Sequence, residues 1–211
     1  MRWSRLWRKI IKETHKKTAP ILALSKAIID GSLSTANSLR PSMGFNSQEE
    51  NEKNWVYVLF EVQYLFFHLV SRMASQTVGA DRRSALLESM APLVIDPTIN
   101  AIFGHWPDDK KNNIKSQYYE NLAKSEYQYG ACKNLWNREG VDNMNDIVIW
   151  RFAKNVARAM GNEHNPGLII EVEKTLVYGL KDIEFKRLLQ KACAVQENIE
   201  ERNCKAWRNE T

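Results

Sequence analysis

Residues 55–78, WVYVLFEVQYLFFHLVSRMASQTV, decide the fold. Trp55, Val56, Leu59, Phe60, Val62, Phe66, Phe67, Leu69, Val70 and Met73 cover most of the circumference of a helix and leave one narrow polar stripe. Glu61, Tyr64, His68, Arg72 and Ser75 recur at steps of three or four, so they share one side. A helix apolar on nearly every face belongs at the centre of a bundle. An acid, a phenol, an imidazole and a guanidinium on such a helix need partners or water.

Outward from this helix, every segment with a clear period is helical. The period of three to four recurs at Ile114, Tyr118, Leu122, Tyr129, Cys132 and Trp136, which predicts a helix from Asp108 to about Trp136. It recurs over Met144–Met160, over Leu168 to about Leu180, and at Phe185, Leu188, Leu189, Ala192, Val195 and Ile199, where Asp182 is the expected cap. Sustained apolar/polar alternation is absent, so no strand competes. Turn chemistry supplies the boundaries. Gly79 ends the central helix and Asp81 is the expected cap of the next. Gly161 is a helix stop, and Asn165-Pro166 places an oxygen acceptor before a residue that lacks an N–H. Pro92 and Pro97 predict a kinked or broken helix, restarting at Asp96-Pro97. Residues 31–53, polar and rich in Ser and Asn, read as a long loop. The expected fold is all-α, a single irregular bundle of about seven or eight helices.

Charge divides the chain. Net charge is +5 overall, yet residues 1–29 hold eight cations against Glu13 alone, a local +7 that leaves −2 on the rest. Trp3, Leu6, Trp7, Ile10 and Ile11 mark one apolar face of an N-terminal helix, and the cations fill the other. Interfacial membrane helices and partner-docking helices share this pattern. The expected organisation is a basic amphipathic arm over 1–30 and a helical bundle over 54–204. Trp3, Arg5, Trp7, Arg8 and Lys12 are the candidate contacts to a protein partner or an anionic membrane surface. Because the body is mildly acidic, nucleic acid is not the expected partner.

Three widely spaced cysteines, with no CxxC pair, argue against a disulfide framework and for a reducing, cytoplasmic setting. No apolar run is expected to reach membrane-spanning length, and Ser25 and Lys26 break the apolar stretch that a secretory signal would need.

Motifs restrict the chemistry further. The chain has no HExxH and no ExxH, which removes the zincin and ferritin-like di-iron signatures; no metal or cofactor is expected. GxxxxGK[ST], GxGxxG and GxSxG are also absent. Tyr118, Tyr119, Tyr127 and Tyr129, spread along one helix, read as core and boundary residues before they read as base-stacking groups. Arg158 and His164 have an R-x5-H spacing that resembles the permissive R-x4–6-H pattern of HEPN ribonucleases, an all-α family. That resemblance implies an RNA-acting enzyme, but Gly161 breaks the helix between the two residues.

The run Phe60–Arg72, followed by Arg82-Arg83 and by Phe103-Gly104-His105-Trp106-Pro107, resembles a set of uncharacterised bacterial all-helical proteins. The similarity spans roughly residues 55–180 and excludes the arm. It implies an all-helical fold and a bacterial source, and no activity.

Beside the weaker alternative of an HEPN-like RNA-acting enzyme using Arg158 and His164, two functional readings follow. One is a non-enzymatic cytosolic interaction protein that contacts a partner or a membrane through its N-terminal helix. The other is a small-molecule-binding or catalytic bundle with a cleft lined by Glu61, Tyr64, His68 and Arg72. In the second reading Glu61 answers a group on another helix, His68 is acid, base or ligand, and Glu61 and Arg72 carry opposite charges near neutral pH.

Overall fold

A computed structural model of the chain describes residues 19–42, 48–136, 143–181 and 185–194. Among these residues the protein is all-α and has no strand, as the periodicity predicts. Seven helices are described: α1 (Ala19–Leu39), α2 (Gln48–Val78), α3 (Ala80–Phe103), α4 (Asp108–Gly130), α5 (Val148–Ala159), α6 (Pro166–Lys181) and α7 (185–194). Short 3-10 turns cover Arg40–Ser42 and Met144–Asp146.

The helices form two compact units. One takes in described residues 19–27, 69–115 and 185–194, and its core holds Leu24, Val70, Leu86, Met90, Val94, Ile95 and Leu189. The other takes in described residues 28–42, 48–68, 116–136 and 143–181. Its core holds Ile28, Leu39, Leu59, Phe66, Tyr118, Phe152, Val156 and Leu176. From Val58 to Ser71 every residue of α2 is buried except the half-buried Glu61. This is the central placement that its all-round apolar surface requires.

Several boundaries follow their local chemistry. Gly161 has φ of 71°, a left-handed conformation that costs other residues, and its N–H closes on the Arg158 carbonyl at 2.8 Å. Asn165 Oδ1 accepts the Leu168 N–H at 3.2 Å, and Pro166 is the first residue of α6. The helix α5 packs along α6 and against the Met144–Asp146 turn.

Other boundaries correct the sequence reading. The expected loop at 31–53 is mostly helix. α1 runs on through Gly31 to Leu39, and α2 starts at Gln48. Ser32, Thr35, Ala36 and Leu39 continue the buried stripe of Ile28 and Ile29, so packing of small side chains outweighs their modest helix propensity. Pro92 and Pro97 do not break α3, which is helical throughout. Each proline leaves one carbonyl four residues back without its N–H, but Leu86, Met90, Val94, Ile95 and Ile99 bury a continuous apolar face that holds the helix together. Asp81 is not the cap of α3. The cap is Gly79, at φ 83°, and Asp81 lies in the first turn, where its charge complements the helix dipole.

The helix expected to reach Trp136 ends at Gly130. Beyond it, Asn134 pairs with Ile147 in an isolated parallel bridge, so Asp146 and Ile147 are drawn out of the expected Met144–Met160 helix and α5 starts at Val148. α3 is also long and apolar enough, by length and composition, to cross a membrane, contrary to the expectation that no run would be; core helices meet the same criterion, so this says nothing of location. Neither Cys132 nor Cys193 is in a disulfide, and both are buried.

Candidate functional site

Three members of the polar stripe on α2 face α4. Within the stripe Glu61 meets Tyr129, Tyr64 packs on Tyr118 and His68 meets Glu126, and beside it Tyr118 donates to Gln63 Oε1 at 2.9 Å. The stripe is thus turned inward from Glu61 to His68, whereas Arg72 is half-buried and Ser75 is exposed.

His68 is the centre of the arrangement. It is 3% exposed, and its Nδ1 lies 2.9 Å from Glu126 Oε2. The Glu126 side chain is 31% exposed, so the pair reaches the surface on that side. In the tautomer that donates from Nδ1 to this carboxylate, Nε2 is an acceptor. Nε2 is buried and has no hydrogen-bond partner among the described residues. The imidazole also packs on Tyr129, with ring centroids 5.6 Å apart.

Two turns earlier on α2, Glu61 sits in a second polar cluster. Tyr129 Oη donates to Glu61 Oε2 at 3.3 Å, and Asn155 of α5 donates through Nδ2 to the same phenol oxygen at 3.3 Å. Asn155 also bonds Glu61, and the Arg158 charge acts on it. Burial nevertheless dominates and pushes the Glu61 carboxyl up to about 7, against the donors and the cation, which pull it down. A carboxyl raised this far binds its proton much more readily near neutral pH than an ordinary glutamate does.

Tyr64 is buried and packs edge-on against Tyr118 at 4.9 Å, with a hydrogen bond to Asn121. Burial, reinforced by the Glu61 charge, raises its phenol far above the ordinary range, so it stays protonated. Phe60 packs on the same Tyr118 ring at 5.0 Å.

No part of the described cluster is assigned to Arg72. It is half-buried and lies on the part of α2 that belongs to the other unit. Arg158 and His164 meet through Glu163: Arg158 Nε is 2.6 Å from Oε2 and His164 Nε2 is 3.3 Å from Oε1. Both side chains are largely exposed, at 64% and 93%. The candidate contacts Trp3, Arg5, Trp7, Arg8 and Lys12 lie outside the described residues.

Sequence reasoning missed Glu126, Gln63 and Asn155. Glu126 had a signal: it falls four residues after Leu122 and three before Tyr129, on the buried stripe of α4. A carboxylate on an apolar stripe demands a partner in the same way as His68 does. Among the described residues no group of three metal-capable side chains converges.

Compared with known protein families, curated proteins and solved structures, the chain has no match.

Proposed function

We propose that the unit built on α2, α4 and α5 binds a small polar ligand at His68, with Nε2 as the acceptor for a ligand N–H or O–H. One observation carries this reading: a buried imidazole oriented by a carboxylate through Nδ1, with its other nitrogen unpartnered. Leaving such a nitrogen unbonded costs about 1–3 kcal/mol, which a ligand donor recovers on binding. A carboxylate–imidazole pair is also the arrangement that prepares a histidine as a general base, so proton abstraction from the ligand is within its chemistry. A thermal-shift screen of small amines, alcohols, carboxylic acids and divalent cations tests the reading. Hits in the wild type that vanish in a folded His68→Ala variant are expected. A wild type without hits, with His68→Ala simply less stable by about 1–3 kcal/mol, would assign the pair to structure alone.

A second reading stands on charge: the +7 of residues 1–29 and the amphipathic spacing of Trp3 and Trp7 favour docking of the N-terminal helix on an anionic membrane or an acidic partner in the cytoplasm.

A further inference from the structure

The two polar clusters on α2 share one residue. Tyr129 places its hydroxyl on Glu61 at 3.3 Å and its ring on the His68 imidazole at 5.6 Å. It is fully buried, and Asn155 fixes its oxygen from α5 at 3.3 Å. Glu61 and His68 are themselves about 10 Å apart along the helix axis, too far for direct contact through the backbone rise alone.

We infer that Tyr129 is a positioning residue that couples Glu61 to His68, so that the ligand site on His68 responds to protonation of Glu61. The inference rests on the ligand reading of His68 and adds its regulation.

The hydrogen-bond inventory sets the direction of the coupling. An ionised Glu61 only accepts, so the Tyr129 O–H must point to it. When Glu61 takes a proton from solvent, its carboxyl gains an O–H of its own. The Tyr129 oxygen, already accepting from Asn155, has a second lone pair for that O–H. The Tyr129 hydroxyl proton is then released from Glu61, and the change is passed to His68 through the ring contact. No covalent bond other than the solvent-derived carboxyl O–H changes. The phenol does not ionise in either state, because burial and the neighbouring Glu61 charge hold its acidity far below the ordinary value. Among the described residues the charged or titratable groups around Glu61 are Tyr118 and Tyr129 from α4, Arg158 from α5 and Tyr64 on its own helix. Of these, Tyr129 is the one with a ring contact to His68. Glu61 titrates at about 7, which puts the switch in the neutral range.

The test uses the ligand-free full chain. Glutamate side-chain 13C and histidine side-chain 15N resonances are followed from pH 5 to 9 in wild type, Tyr129→Phe and Glu61→Gln. In the wild type the His68 nitrogens should show an inflection at the Glu61 midpoint. Tyr129→Phe keeps the ring but removes a donor to the carboxylate, so the Glu61 midpoint should rise while the His68 inflection at that midpoint disappears. Glu61→Gln should erase the inflection as well, and serves if Tyr129→Phe does not fold. A wild-type His68 without an inflection at the Glu61 midpoint overturns the inference. So does an inflection that survives unchanged in Tyr129→Phe. Coupled titration in a protein whose His68 Nε2 carries the proton upholds the coupling and overturns the ligand reading beneath it.

Discussion

Glu61→Gln isolates the thermodynamic consequence of burying a carboxyl. In the unfolded chain this group titrates near 4.5, and in the folded protein near 7. Between those values the native state holds a proton that the unfolded state has released. Unfolding stability therefore falls as pH rises from 4.5 to 7, is constant above that window, and is fully present below it. The separation of about 2.5 pH units, at about 1.36 kcal/mol each, amounts to as much as about 3 kcal/mol. Glutamine keeps a carbonyl oxygen to accept the Tyr129 O–H and removes the charge. Above pH 7 the variant should be more stable than the wild type by up to about 3 kcal/mol, reduced by any bond that the amide cannot reproduce. At pH 5 the difference should shrink to about 1 kcal/mol or less. The assay is urea unfolding of both proteins at fixed pH values from 5 to 8, with the difference in stability plotted against pH, which cancels every other titrating group. A difference that stays flat across the range would refute the reasoning, because it would mean that Glu61 titrates alike in the folded and unfolded chains.

Phe66→Ala removes a fully buried ring from the centre of α2 and should cost about 3–5 kcal/mol in denaturant unfolding; wild-type-like stability would place the core elsewhere. Pro92 is exposed and internal to α3, so Pro92→Ala restores a helical N–H four residues after Glu88 and should raise the unfolding midpoint by up to about 3 kcal/mol of stability, less the entropy that proline removes from the unfolded chain. Deleting residues 1–17 should abolish sedimentation with anionic vesicles while leaving the helical circular dichroism of the body; binding that persists without the arm and at high salt would exclude electrostatic docking by it.

Much of the helical scaffold was legible because its signals are local. The spacing of Leu59, Phe60, Val62, Phe66, Phe67 and Val70 requires an enclosed helix whatever the neighbours are, and α2 is enclosed. Asn165-Pro166 and Gly161 are readable for the same reason, since a cap and a left-handed turn depend on a few adjacent residues. The polar stripe was legible as a demand: Glu61, Tyr64 and His68 on an apolar helix had to find partners.

Which partners they found was decided by tertiary structure. Glu126 lies 58 residues from His68 along the chain and Tyr129 lies 68 from Glu61, separations that no periodicity can bridge. Packing of α2 against α4 within one unit brings them together and buries Glu61 enough to move its carboxyl to about 7, while Arg72 lies on the part of α2 that belongs to the other unit. The same non-local packing carried α3 through two prolines and made helix of Ser32, Thr35 and Ala36, where local propensity predicted a break and a loop. Propensities amount to about a kilocalorie per residue, or about three for proline, whereas a buried apolar face collects that much from each large side chain, so wherever the two disagree the packed face prevails.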